Sequence, residues 1–182
     1  MFGDTRCFNA AGAAMVLLLA GCGSGGSDTS ASLPEPDPSV GLSAGPAACD
    51  GGTAADFSCA GINLRSRVAL TSMQGTAGND VWGWADAQTG NEYALMGMAN
   101  GTAFVDVTDP DNPVFLGTLP TATVSSTWRD IKVYQDHAYI VADRAGAHGM
   151  QVFDLTRLRG VAAPQIFAAD ALYGDFQNAH NL

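Results

Sequence analysis

One block of this sequence occurs twice, and the repeat limits the folds open to the chain. Residues 80–118 return as residues 130–168, with Asp106 and Asp154 at matching places 48 residues apart. A recurring unit of roughly 40–50 residues is typical of propellers and other repeat folds, whose units bury their faces against their neighbours. The chain is therefore expected to consist of stacked copies of one motif, an architecture that usually binds ligands rather than catalyses reactions.

The offsets between the two copies change only where turns fall, so strands are expected to repeat while loops vary. Asp80 is matched by Asp130 at an offset of 50, and Tyr93 by Tyr139 at an offset of 46. Alternation and β-branched or aromatic content predict four strands in each unit. These cover residues 80–84, 92–98, 102–107 and 113–117, and then 130–134, 137–142, 150–155 and 164–168. Four strands make one blade of a β-propeller. The predicted fold is all-β, a partial β-propeller-like repeat of about two four-stranded blades and the start of a third, after a disordered N-terminal tether.

The N-terminus has the features of an export signal. Arg6 precedes an apolar run at residues 10–20, shorter than the roughly 20 residues of a membrane-spanning helix. The run ends in Leu19-Ala20-Gly21-Cys22, which resembles the lipobox of bacterial lipoproteins. The resemblance implies that residues 1–21 are a lipoprotein signal peptide, that Cys22 is lipidated, and that acyl chains hold the protein in the membrane. An ordinary signal with a chance cysteine is the alternative.

Because Gly23 rather than Asp follows the cysteine, the same resemblance leaves sorting to the outer membrane or cell surface of a bacterial envelope open. Residues 22–48 are rich in Gly, Ser and Pro and lack large apolar side chains, which predicts a flexible tether. Cys49 and Cys59 follow, and in an oxidising compartment they are expected to form a disulfide. Two free thiols are the alternative, and a metal site is disfavoured because two cysteines lack the usual four ligands.

The charge balance excludes two classes of partner. The formal net charge is −10, and removal of residues 1–21 leaves it unchanged because one Asp and one Arg depart together. A chain this acidic is unsuited to nucleic acid, whose phosphates require Lys and Arg. It is equally unsuited to adsorption on anionic lipid through a basic patch, so the expected membrane contact is the N-terminal lipid anchor.

Residues 49–182 resemble the choice-of-anchor B family, whose members carry LVIVD-type repeats. The resemblance rests on the stretches NDVWGW, GNEYAL and NGTAFVDVTDP in the first unit, and on WRDIKVY and HGMQVFDLTRL in the second. It implies a β-propeller-like, exported, surface-anchored protein. The family brings no established reaction and no agreed catalytic residues, so no catalytic, cofactor-binding or metal-binding residue is carried over.

Family members continue beyond the position of Leu182, and residues 179–182 look like the opening strand of a third unit. The repeat domain at 49–182 is thus expected to be incomplete at its C-terminus, through a truncated gene, a fragment or a partial record. Two blades cannot close a ring, which typically takes four to eight. An open sheet edge and an apolar face are the expected consequence.

Three residues are candidates for a ligand site, namely His148, His180 and Asp130. The two histidines lie near expected strand ends, where propeller ligand sites often occur, and imidazole suits both metal binding and acid–base chemistry. No metal-binding or catalytic spacing accompanies them, so ordinary loop or core histidines are the competing interpretation. Asp80 and Asp130 recur where units begin, which favours a capping or loop-locking role over a catalytic pair.

Two further groups carry a functional and a structural interpretation. Asp106, Asp109 and Asp111 lie close enough in sequence to bind calcium, but the recurrence of Asp106 as Asp154 favours turn caps. Stacking on a sugar or a peptide is one interpretation of Trp82, Trp84 and Trp128, and packing between blades is the simpler one.

Three hypotheses for function follow. The first is a lipid-anchored binding module that presents a protein or glycan site at the cell surface. The second is an exported, metal-assisted hydrolase with its site at the propeller centre. The third is a truncated, non-functional fragment.

Overall fold

The computed structural model describes residues 45–182. The predicted signal peptide, the lipidation site at Cys22 and the tether up to residue 44 lie outside the described residues. Residues 45–182 form three open β-sheets with two short 3₁₀ helices, so the all-β prediction is confirmed. None of the helices among these residues has the length and apolarity needed for a membrane span.

A small hairpin opens the described part of the chain. Strands β1 (Thr53–Ala54) and β2 (Phe57–Ser58) pair antiparallel inside the loop that Cys49 and Cys59 close. The two cysteines form a disulfide, as predicted. A disulfide that closes a loop of this length stabilises the fold by about 2.5–3 kcal/mol in the chain-entropy model.

The first large sheet is built from four consecutive strands. They are β3 (Gly78–Ala85), β4 (Glu92–Met98), β5 (Gly101–Asp106) and β6 (Val114–Pro120), each antiparallel to the next. All four coincide with predicted strands within a few residues. Two residues, Ala99 and Asn100, connect β4 to β5, whereas residues 86–91 and 107–113 form the longer connections before and after them.

The second large sheet begins in the same way. Its first strands are β7 (Arg129–Tyr134), β8 (His137–Ala142) and β9 (Met150–Asp154), again antiparallel neighbours. After β9 the chain turns through the 3₁₀ helix Leu155–Leu158, where the Asp154 side chain accepts the backbone N–H of Thr156. This is a cap of the kind predicted for the recurring Asp and Thr.

The prediction that residues 164–168 form the fourth strand of the second unit is wrong about the sheet that this strand joins. Strand β10 (Gln165–Ile166) crosses to the first sheet and pairs parallel with β6, while β11 (Ala171–Tyr173) takes the edge beside β9. Gly117 has φ +136°, and a side chain there would collide with the backbone of Gln165. The crossover is possible because glycine alone leaves room for that backbone.

The predicted match of Tyr93 with Tyr139 is also wrong, by two residues. Tyr93 lies opposite Asp106, and the residue opposite Asp154 is His137. The hairpin between β7 and β8 turns on two residues with positive φ, Gln135 and Asp136, whereas the turn between β3 and β4 spans residues 86–91. Because the β7–β8 turn is the shorter one, the β8 residue opposite Asp154 is His137, two positions before the Tyr139 that the sequence match predicts.

The main core lies between the facing surfaces of the two large sheets. Phe104 of β5 and Phe153 of β9 stack with ring centroids 4.7 Å apart, and Phe167 meets both edge-on. Leu95 and Ile140 are fully buried in the same cluster. Burial of a side chain of this size stabilises by roughly 1.5–3 kcal/mol, so the contact between the sheets is the main apolar contribution to the fold.

The face of the first sheet that points away from the second sheet is also covered by packed residues. Met98, Ala103 and Val105 are buried there beneath the 3₁₀ helix Leu70–Met73 and the preceding residues. This sheet is therefore covered on much of both faces, in agreement with the apolar residues at both parities of its strands.

An ion pair between buried Asp86 and half-buried Arg159 joins the two large sheets. Arg159 donates through Nε and Nη2 to the two carboxylate oxygens of Asp86, at 2.7 and 2.8 Å. Arg159 is the largest cause of the lowered pKa of Asp86, and hydrogen bonds from Thr89 and the Gln88 backbone act in the same direction. The pair links the β3–β4 turn to the segment after β9.

Candidate functional site

The candidate site begins where β3 and β7 run side by side. The Asp80 carboxylate accepts the backbone N–H of Val81 through Oδ1 and that of Ile131 through Oδ2, both at 2.8 Å. Asn79 donates from Nδ2 to the Arg129 carbonyl at 2.7 Å. Two consecutive side chains of β3 therefore hold the start of β7.

Asp130, one unit later, makes one corresponding contact and one different contact. Its Oδ1 accepts a hydrogen bond from Lys132 Nζ at 2.7 Å, and its Oδ2 accepts the backbone N–H of Leu182 at 2.7 Å. The predicted capping role of Asp80 and Asp130 is confirmed, because both carboxylates bind backbone amides.

A polar cleft of about 180 Å³ opens above these contacts; we call it the strand-entry cleft. It is lined by Asn79, Asp80, Trp128, Arg129, Asp130, His180 and Asn181. Trp128 is 46% exposed, and its ring lies 5.8 Å from that of His180 in a tilted arrangement. Three stretches of chain about 50 residues apart therefore meet at one small opening.

His180 is oriented by Asp143, whose Oδ2 lies 3.1 Å from the imidazole Nδ1. The pKa of Asp143 is lowered, first by the hydrogen bond from the Arg144 backbone and then by the bond to His180. An anchored ring presents its other edge in a fixed direction, which suits a residue that lines a binding cleft.

His148 lies elsewhere, fully buried beneath the cleft. Arg129 Nη1 is 3.2 Å from His148 Nε2, and His148 Nδ1 is 3.0 Å from the Gly149 carbonyl. Because a guanidinium only donates, Nε2 accepts, and the imidazole is neutral with its proton on Nδ1. Burial, followed by the charge of Arg129, lowers the pKa of His148.

Arg129 is the largest fully buried side chain among residues 45–182. Its Nε donates to the Met98 carbonyl at 3.0 Å, and its Nη2 has no hydrogen-bond partner within that range. Burial lowers its pKa to about 10. The side chain therefore fastens β7 to the β4–β5 hairpin from inside the molecule.

The structure thus brings two of the three predicted site residues together. Asp130 and His180 line the strand-entry cleft, whereas His148 does not reach it. Sequence reasoning missed Asn79 and Asn181 as lining residues. The recurrence of Asn79-Asp80 as Arg129-Asp130 and then His180-Asn181, at intervals of about 50, is the signal that could have identified them.

The calcium candidates have structural partners instead. Asp106 accepts the Thr108 backbone N–H at 2.9 Å, and Asp109 accepts that of Asp111 at 3.0 Å. Asp111 forms a bidentate pair with Arg65 at 2.6 and 2.7 Å. Within the part of the chain that the structure describes, no three His, Cys, Asp or Glu residues are grouped as a metal site.

The other two tryptophans lie outside the strand-entry cleft. Trp84 is buried, stacks on Tyr93 and donates from its indole to Asp136 at 3.0 Å, as the packing interpretation predicts. Trp82 is 39% exposed beneath the Lys132 ammonium, 4.7 Å from its ring centroid. Both border a larger apolar groove of about 570 Å³ along β3 and β4.

No family model, curated protein or solved structure matches the chain. Inference about its function therefore starts from the geometry of the cleft.

Proposed function

We propose that this protein is a lipid-anchored module of the bacterial cell envelope that binds a glycan in the strand-entry cleft. The observation that carries the proposal is the convergence of an exposed indole, Trp128, with amide, carboxylate and imidazole groups from three chain segments. Binding surfaces on repeat folds are commonly assembled in this way, from corresponding positions of successive units.

The chemistry of the cleft favours a sugar over an apolar ligand. A pyranose has one face of C–H groups, which packs against an aromatic ring, and a rim of hydroxyls, which both donate and accept hydrogen bonds. Trp128 supplies the ring, and Asn79 and Asn181 supply side-chain amides at the rim. At about 180 Å³, the cleft has room for one sugar residue of a longer chain.

A propeller-like arrangement of repeats, of the kind carried by the choice-of-anchor B family, belongs to the same proposal. Its support is the shared layout of the two large sheets, each a meander whose third strand ends in an aspartate. Asp106 lies opposite Tyr93 in one sheet, and Asp154 lies opposite His137 in the other. The faces of the two sheets pack on each other, as neighbouring blades do.

The Cys49–Cys59 disulfide supports the export part of the proposal. Disulfides persist in the periplasm and at cell surfaces and are rare in the cytosol. The predicted tether at residues 22–48 would then hold the folded part away from the membrane, with its last residues joined to the fold, because Ala47 pairs with Leu64.

A tryptophan substitution tests the binding site. A panel of immobilised mono- to tetrasaccharides is screened with residues 45–182, and the best binder is titrated calorimetrically. Trp128→Ala is expected to weaken binding at least tenfold, about 1.4 kcal/mol, because the stacking surface is lost. Trp82→Ala, a partly exposed tryptophan outside the cleft, is the matched control and should bind normally. Equal affinity in the two variants, or no binding to any sugar, would contradict the proposal.

A further inference from the structure

The walls of the strand-entry cleft present mainly hydrogen-bond acceptors. Asp80 accepts one backbone N–H through each of its carboxylate oxygens. Asp130 accepts the Lys132 ammonium through one oxygen and the backbone N–H of Leu182 through the other. A carboxylate has about four lone-pair sites, so both groups can accept further hydrogen bonds. The two carboxylates that line the cleft can therefore each receive a donor from a ligand.

His180 adds a further acceptor while its ring is neutral. Its Nδ1 lies 3.1 Å from Asp143 Oδ2, and a carboxylate only accepts, so Nδ1 carries the proton of that hydrogen bond. Nε2, at the other edge of the neutral ring, then has a lone pair and accepts. The His180 side chain is 62% exposed, which leaves the ring accessible to a ligand.

The permanent cation among the lining residues is turned away from the cleft. Arg129 is 1% exposed, and its guanidinium lies against the Met98 carbonyl and His148 in the interior. Asn79 already donates from Nδ2 to the Arg129 carbonyl. Among the residues that line the cleft, two carboxylates therefore stand without an exposed ammonium or guanidinium to balance them.

The exposed indole favours the same class of ligand as the acceptors do. The face of an aromatic ring is electrostatically negative and attracts a cation within about 6 Å of its centroid. The protein already contains such a contact, because the Lys132 ammonium lies 4.7 Å from the ring centroid of Trp82. Trp128 is 46% exposed and lines the cleft together with Asp80 and Asp130. The ring and the carboxylates are separate features, and both select a cation.

From the acceptor-rich wall and this ring we infer that the bound glycan carries a free amino group, as an amino sugar without an N-acetyl group does. The inference rests on the proposed function, because the ammonium is a substituent of the sugar that packs on Trp128. An ammonium has three donors and no acceptor, which matches the free lone pairs of Asp80, Asp130 and His180. A uronic acid would bring a third carboxylate beside two others and be repelled. The net charge of −10 acts in the same direction.

The test compares three disaccharides by titration calorimetry on the full chain, namely the dimers of glucosamine, N-acetylglucosamine and glucuronic acid. The titrations are run at about pH 7, below the usual pKa of an α-amino group, so that most of the amine is protonated. The glucosamine dimer is expected to bind about tenfold more tightly than the N-acetylated dimer, because a charge-assisted hydrogen bond replaces a neutral one. Added salt should weaken binding of the glucosamine dimer alone.

Two variants move the affinity in opposite directions. Asp130→Asn removes a charge but keeps a carbonyl that can accept the Leu182 N–H, and it should weaken binding of the glucosamine dimer about tenfold. Lys132→Gln should tighten it, because Lys132 Nζ lies 2.7 Å from Asp130 and competes with the ligand. Neither change should alter binding of the N-acetylated dimer. Asp175→Asn, the same loss of charge at an exposed residue outside the lining set, is the matched control and should bind as the wild type does.

The outcomes separate this inference from the proposal on which it rests. Equal affinity for the glucosamine and N-acetylglucosamine dimers would overturn the amino-sugar inference and leave glycan binding intact. Tighter binding of the glucuronic acid dimer would do the same. Failure of all three dimers and of the wider saccharide panel to bind would overturn both. Thermal melting of each variant shows whether it is folded, and if Asp130→Asn is not, the gain of affinity in Lys132→Gln decides.

Discussion

Arg129 and His148 form a buried pair whose hydrogen bonds define the protonation of the imidazole. The sequence makes His148 a candidate only through its place near an expected strand end. What distinguishes His148 is the proximity of Arg129, 19 residues away, and sequence patterns do not reveal such a pairing. By contrast, the capping role of Asp80 and Asp130 was predictable, because recurrence at a fixed interval favours a structural contact in each unit.

The buried imidazole predicts a pH-dependent stability. Burial, followed by the charge of Arg129, lowers the pKa of His148, so the folded state binds a proton more weakly than the unfolded chain does. The stability that depends on neutral His148 is complete above the unfolded pKa of about 6.5 and is lost as the pH falls through that value. Urea midpoints should therefore decline from about pH 7 to pH 5.

His148→Gln is expected to reduce that decline by at least half, because the glutamine carbonyl can accept from Arg129 without titrating. A decline of equal size in the wild-type protein and in His148→Gln would show that other groups cause it.

At the scale of elements, the positions of strands β3 to β9 were predictable, whereas the pairing of β10 with the first sheet was not. Strands β3 to β9 match the predicted positions because their alternation is local. The partner of β10 depends instead on two long-range features. One is the space that Gly117 leaves for the Gln165 backbone, and the other is the pocket that Phe104 and Phe153 offer to Phe167.

Gly117 should therefore be required for the crossover. Gly117→Ala places a side chain at φ +136° and against the backbone of Gln165, so β10 is expected to leave the edge of β6. The expected loss is about 1–3 kcal/mol in the free energy of unfolding, measured by urea denaturation, with faster hydrogen exchange at Phe167. Gly90→Ala, at φ +79° with open space around it, is the matched control and should cost less, about 1 kcal/mol. An equal loss in both variants would show that backbone strain alone is responsible.

At the scale of the molecule, the repeat predicted stacked sheets but not how the cleft is assembled. Recurrence placed Asp80 and Asp130 at matching positions, and the stack then brought them to one opening with His180. The sequence match did not predict that Trp128, just before the second unit, would remain exposed there, because exposure depends on how closely two sheets approach. Local signals therefore identify the units, and the packing of the units creates the site.

The proposed anchor predicts a sharp dependence on one cysteine. Acylation of Cys22 would give the mature chain several acyl groups, and each buried methylene adds about 0.8 kcal/mol to membrane binding. Wild-type protein expressed in a bacterial host should partition into the detergent phase of Triton X-114, and its intact mass should include the acyl groups. Cys22→Ser is expected to remove both properties and to leave a chain that retains residues 1–21. Cys7→Ser is the matched control, because Cys7 departs with the signal peptide and its loss should change neither property. A Cys22→Ser protein that still partitions into detergent, or a wild-type mass without acyl groups, would rule out lipidation at this site and leave an ordinary signal peptide as the route of export.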